Sequence, residues 1–182
     1  MTTRILLLPG LSNSGPEHWQ SYWERDDPTC VRVMQREWET PAREEWVATL
    51  ERAVEEFGPD AVLVAHSTSC ALVAFWAANT SRAVRGALLV APSDTEASSY
   101  PVGPSGWQPM PLVALPFPSI VVASSDDAFV TLDRARLFAE AWGSRFILLG
   151  AAGHINSATG LGSWNTGKAL LTELLQMRVE EP

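Results

Sequence analysis

The chain has 182 residues, 46% of them apolar and 19% charged, with eight Trp. At roughly 100–200 residues per domain this is one domain with apolar surface enough for its own core, which excludes a disordered or low-complexity chain. Thirteen Lys+Arg against 21 Asp+Glu leave a net charge of −8, a field that repels phosphate backbones and anionic headgroups and so argues against nucleic-acid and membrane partners.

In chain order, Ile5–Leu8 is the first short apolar run that reads as a fully buried parallel strand, followed by a loop from Pro9 and a helical stretch over about Trp19–Arg25. Val31–Met34 is the second such run. Pro41–Phe57 is the clearest helix, with Pro at its start, Trp46, Leu50 and Val54 at four-residue steps, and Gly58-Pro59 as a stop. Val62–Ala65 is the third strand and leads through His66-Ser67 into a helix over Thr68–Asn79. Ala87–Val90, Ile120–Ala123 and Phe146–Leu149 are the remaining strands, with helices expected over Leu132–Trp142 and Trp164–Met177. Between the fourth and fifth strands, Pro92 to Pro118 contains seven prolines, which forbids a long helix and therefore a helical cap domain. Strands alternating with helices imply parallel pairing through right-handed crossovers, hence an open sheet with helices on both faces. No internal repeat, linker or charge block marks a second domain, so residues 1–182 read as one.

The longest apolar run, Cys70 to Ala78, is about half the ~20 residues that a membrane-spanning helix needs. Met1-Thr2-Thr3-Arg4 runs straight into the first strand with no cleavable signal, so a soluble cytoplasmic protein is expected. Cys30 and Cys70 are the two cysteines, without a C-x-x-C or Cys/His cluster. They read as buried thiols, and neither a disulfide framework nor a metal site is expected.

Ligands of an open parallel sheet sit beyond the C-terminal strand ends. Three of those ends carry catalytic residue types: Ala65-His66-Ser67-Thr68-Ser69 after strand three, Ser124-Ser125-Asp126-Asp127 after strand five and Gly153-His154 after strand six. A serine hydroxyl becomes a useful nucleophile when an imidazole takes its proton, and the imidazole needs a carboxylate to fix its tautomer. A strand-to-helix turn that presents the serine also supplies a free helical N–H for an oxyanion. The strict G-x-S-x-G elbow is absent, since Ala65 and Ser69 stand where the glycines would be. The competing reading of Ser67, Thr68 and Ser69 is a plain helix cap, which the joint placement of acid and histidine disfavours. Spacing alone does not separate Asp126 from Asp127, and Asp94 after strand four is a further candidate acid. Ser69 is a rival nucleophile.

At these motifs the chain resembles the small retinoblastoma-binding serine hydrolase family of cap-less α/β-hydrolases. The resemblance is carried by Leu8-Pro9-Gly10 with His18-Trp19, Pro41-x-Arg43-x-x-Trp46, Val64-Ala65-His66-Ser67, Ala91-Pro92-Ser93-Asp94, Leu115-Pro116-Phe117-Pro118-Ser119, Ser124-Ser125-Asp126-Asp127, Gly153-His154-Ile155-Asn156 and Gly160-Leu161-Gly162-x-Trp164. It implies a three-layer α/β-hydrolase fold, with Ser67 as nucleophile, Asp127 as orienting acid and His154 as base. The family usually has glycine where Ser69 stands and proline where Ala128 stands.

The expected strand order is 2-1-3-4-5-6, which puts the loop after strand one beside the serine. Thr68 N–H and a backbone N–H around Leu11 or Ser12 are the expected oxyanion donors. His18, Trp19 and Trp107 are candidate pocket residues, and Trp164 is assigned to packing. The expected activity is hydrolysis of short-chain carboxylic esters through an acyl-serine, with no cofactor and no metal, because a site without a lid is shallow. The alternative is a protein-binding module with weak or no catalysis, for which Ser69 is the main support. A flavodoxin-like phosphate binder, using the loop from Pro9 to Gly15, would leave the acid and histidine as accidents. Crowded at the helix start, a serine at position 69 must either tilt the helix or find a hydrogen bond across the turn, and because either touches the Thr68 N–H, Ser69→Gly is expected to raise kcat with little change in KM.

Overall fold

The computed structural model describes residues 3–177. Six strands, Ile5–Leu8 (β1), Cys30–Arg32 (β2), Val62–His66 (β3), Gly86–Val90 (β4), Ser119–Ala123 (β5) and Arg145–Leu148 (β6), form one parallel sheet in the order β2-β1-β3-β4-β5-β6. This is the expected order. The four inner strands are buried along their whole length, while β2 and β6 at the edges are partly exposed. That is why the inner strands read as continuous apolar runs. The second strand is shorter than expected, its pairing with β1 running from Cys30 to Arg32, and Met34 beyond it is 63% exposed.

Five helices cover the sheet: Trp19–Asp26 (α1), Arg43–Phe57 (α2), Thr68–Ala77 (α3), Leu132–Trp142 (α4) and Asn165–Gln176 (α5). Alternate strand residues point to opposite faces. Leu7, Val64, Leu88 and Val122 join Trp19, Trp23, Trp164 and Leu174 from α1, α5 and the turn before α5. Leu6, Leu63, Leu89 and Val121 join Trp46, Leu50, Phe75, Phe138 and Trp142 from α2, α3 and α4. α3 is buried on every side from Thr68 to Trp76, the environment that an unbroken apolar run with no polar stripe selects.

α2 begins later than Pro41 because Ala42 is extended and bridges to Ser105. Among the described residues no helix or strand lies between β4 and β5, so nothing caps the strand ends. The segment is tied down by tryptophan: Trp107 Nε1 donates to the Pro41 carbonyl at 3.1 Å, Thr95 Oγ1 donates to the Trp107 carbonyl at 2.7 Å, and Trp142 Nε1 donates to the Pro111 carbonyl at 2.8 Å. Cys30 and Cys70 are both buried free thiols. Among the described residues no helix is long and apolar enough to cross a membrane.

Candidate active site

β3 ends at His66 and α3 begins at Thr68, so the chain reverses at Ser67, which takes φ 60° and ψ −128°. A positive φ is costly for a serine and is the mark of a strained strand-to-helix elbow. The Ser67 side chain makes no capping bond to the helix, contrary to the plain-cap reading. The close approach that glycines at positions 65 and 69 would have provided falls instead to Gly10, where a Cβ would meet Ser67 Cβ at 2.7 Å and the His66 carbonyl oxygen at 3.1 Å. Ser69 is buried, and its Oγ donates to the Pro9 carbonyl at 2.6 Å. The hydroxyl therefore finds its bond across the turn and points away from the cleft.

Ser67, His154 and Asp127 come together in one line. Ser67 Oγ lies 2.8 Å from His154 Nε2, and His154 Nδ1 lies 2.9 and 3.0 Å from the two Asp127 oxygens. The Asp127 side chain is fully buried and also accepts the Phe129 N–H at 2.9 Å. With His154 neutral, Nδ1–H donates to Asp127, the Ser67 hydroxyl donates to Nε2, and the Ser67 oxygen keeps its lone pairs for a further donor. That donor is Ser93 Oγ at 2.9 Å.

The other two acids are occupied elsewhere. Asp126 Oδ1 accepts the Ser124 hydroxyl at 2.7 Å and the Gly153 N–H at 2.8 Å, bonds that hold its carboxyl below the usual range and tie the β5 end to the histidine loop. Asp94 is gripped by Arg134 through two bonds, at 2.7 and 2.9 Å.

The cleft in front of Ser67 has a volume of about 480 Å³ and is lined by Leu11, His18, Tyr100, Phe129 and Asn156 among others. Leu11, expected for its backbone N–H, and His18, expected in the pocket, are among the lining residues. Trp19 and Trp107 are not: each is at most 2% exposed. Trp19 packs against Trp23 and Trp164, its Nε1 donating to the Ile155 carbonyl at 2.9 Å. Trp107 packs edge-on against Trp46 and Phe75 on the opposite face of the sheet. A buried indole needs one acceptor and a deep apolar slot, and for both these lie in the core. Trp164 is in the packing, as expected, and buried.

Sequence reasoning missed Ser93, Tyr100 and Phe129. Ser93 follows β4 and was open to the same strand-end rule. Phe129 packs 4.5 Å from the His154 ring. Tyr100 meets Thr68 Oγ1 at 3.2 Å, and burial pushes its hydroxyl up to about 12, so it stays a donor. Nothing in the proline-rich segment distinguished it beforehand.

Fold and site together define a class, the α/β-hydrolase architecture without an inserted cap, in which a serine stands on the central elbow against a histidine. Residues 5–173 match the serine hydrolase family, and the chain belongs to that family. It is similar to a YdeN-like hydrolase from Pectobacterium atrosepticum, at 30% identity and TM-score 0.85 over 96% of this chain and 91% of that one. The ydeN gene product of Bacillus subtilis gives 18% identity and TM-score 0.80 over 97% and 100% of the two chains. Est1E from Butyrivibrio proteoclasticus, in its ferulic-acid-bound structure, shares the fold at 11% identity, TM-score 0.73, over 97% and 90%. No curated protein matches the chain.

Proposed function

We propose that this serine hydrolase cleaves short-chain carboxylic esters through an acyl-serine intermediate. The observation that carries the reading is the unbroken Ser67–His154–Asp127 hydrogen-bond line at the mouth of an uncapped cleft. As Ser67 Oγ attacks the ester carbonyl, its proton moves to His154 Nε2, and the buried Asp127 carboxylate stabilises the imidazolium. The oxyanion is received by two amides, Thr68 N–H at the start of α3 and Leu11 N–H in the loop after β1. The neighbouring Ser12 N–H donates to the Trp38 carbonyl at 3.0 Å, which favours Leu11 for this role. His154 then protonates the departing alcohol, and water repeats the sequence to release the acid.

A cleft of about 480 Å³ without a lid suits small acyl groups. The motifs shared with the retinoblastoma-binding type support a place in that branch, and a protein partner is not required for the chemistry. The binding-module reading drew on Ser69, and a serine bonded across the turn gives it no support. Nucleic-acid and membrane partners remain disfavoured by the charge of −8, and the chemistry needs neither metal nor cofactor.

Fluorophosphonate labelling with peptide mapping tests the reading. Label on Ser67, with labelling and ester hydrolysis both lost in a folded Ser67→Ala variant, is the expected result; undiminished labelling of that variant overturns it.

A further inference from the structure

His18 carries a polar atom that nothing in the fold uses. Its Nδ1 caps α1 by accepting the Gln20 N–H at 3.2 Å. With Nδ1 an acceptor, the proton of the neutral ring sits on Nε2. Among the described residues, His18 Nε2 is a buried side-chain atom with no hydrogen-bond partner. Such a donor is costly to bury and calls for an explanation. The residue is 3% exposed, its ring packs 4.7 Å from His66, and it lines the same cleft as Ser67. Burial and the nearby Arg32 guanidinium hold its pKa down to about 4. The Arg32 charge is spent on Glu24, Asn13 and Ser21 and does not line the cleft.

We propose that His18 is a specificity-determining residue whose Nε2–H donates to an uncharged oxygen of the substrate, so that the preferred esters carry an ether, carbonyl or hydroxyl oxygen close to the scissile bond. The inference rests on the esterase reading above. An uncharged acceptor follows from the lining: a neutral imidazole with no cation beside it in the cleft does not offset the desolvation of a carboxylate. A site built to hydrogen-bond a substrate group discriminates against the analogue that lacks it, because its own buried polar group is then left unpaired.

Matched esters differing by oxygen against methylene provide the test. On the acyl side these are p-nitrophenyl methoxyacetate and p-nitrophenyl butyrate; on the alcohol side, 2-methoxyethyl butyrate and butyl butyrate. The readout is the ratio of kcat/KM within each pair, compared between proteins, so intrinsic reactivity cancels and a partly folded preparation lowers both rates alike. In His18→Asn the shorter amide keeps an oxygen for the Gln20 cap but does not reach the Nε2 position; in His18→Gln an N–H is restored near it. For at least one pair the wild-type ratio should exceed that of His18→Asn about tenfold, with His18→Gln in between. Ratios equal within twofold in both pairs overturn the proposal. Wild-type protein that neither turns over any ester nor takes the fluorophosphonate removes the esterase reading, and this one with it.

Discussion

The His66 imidazole donates through Nε2 to the backbone carbonyl of His154 at 2.9 Å, so the residue directly before Ser67 fixes the backbone of the histidine whose Nε2 meets the Ser67 hydroxyl. The next carbonyl, that of Ile155, accepts from Trp19 Nε1, also at 2.9 Å. The loop needs both clamps, because Gly153 stands at φ 54° and Ile155 at φ 49°. A left-handed conformation is costly for a β-branched residue, on the order of 1–3 kcal/mol, and persists where its surroundings enforce it. Trp19, expected in the pocket, thus shapes the site from behind.

His66→Leu removes one clamp and leaves the His154 carbonyl without its partner, at a cost of about 1–3 kcal/mol. A displaced imidazole loses alignment with Ser67 Oγ, and such misplacement costs up to ~10²-fold in rate. Steady-state kinetics should show kcat falling by about 10- to 100-fold with a smaller change in KM, and partial recovery in His66→Gln. Unchanged kcat in His66→Leu would mean that Trp19 alone holds the loop.

The two carboxylates that compete for the acid role separate by the same kind of experiment. Asp127→Asn keeps the shape but cannot stabilise the imidazolium and favours the wrong tautomer, so kcat/KM should drop at least ~10³-fold. Asp94→Asn breaks the grip on Arg134 without touching His154. It should lower stability by about 1–3 kcal/mol in urea unfolding while retaining most of the activity. The reverse ranking would make Asp94 the acid.

How far this was legible differs by element. The inner strands were visible because burial on both faces leaves no polar residue to interrupt Ile5–Leu8 or Val62–Ala65. Ser67, His154 and the Asp126-Asp127 pair, within which the choice of Asp127 came from the family resemblance, were visible because parallel topology delivers every strand's C-terminal end to one edge. Trp107 was not, since an indole in an aperiodic, proline-rich segment carries no signal of the direction it faces; the Pro41 carbonyl that claims it lies 66 residues away in sequence. Nor was the consequence of Ser69, whose partner at Pro9 is set by the approach of two loops and by no local pattern.

That bond reverses the expectation for Ser69→Gly. The Ser69 hydroxyl joins the first turn of α3, which carries Thr68 N–H, to Pro9, two residues before Leu11, and so fixes the spacing of the two proposed oxyanion donors. Removing it strands the Pro9 carbonyl and frees the elbow. Ser69→Gly should lower kcat several-fold and cost about 1–3 kcal/mol of stability, measured by ester kinetics and urea unfolding. A raised kcat would restore the crowding explanation.

Acid should unfold the protein through its buried histidines. In the unfolded chain a histidine titrates near 6.5, whereas in the folded state burial, with Arg32 and His154 nearby, lowers His18 to about 4, and burial takes His66 well below its usual value. Between these values the unfolded chain binds the extra proton, so stability rises with pH across the window. The contribution is complete above about pH 6.5 and is lost as pH falls towards 4, amounting to at most roughly 3 kcal/mol for His18. Urea unfolding from pH 7 to 4.5 should show this decline. His18→Asn should flatten it by up to about 1.4 kcal/mol per pH unit, the slope of one proton, because the amide keeps an acceptor for the cap and has nothing to titrate. Curves that stay parallel for the variant and the wild type would assign the acid sensitivity to His66 or to the carboxylates instead.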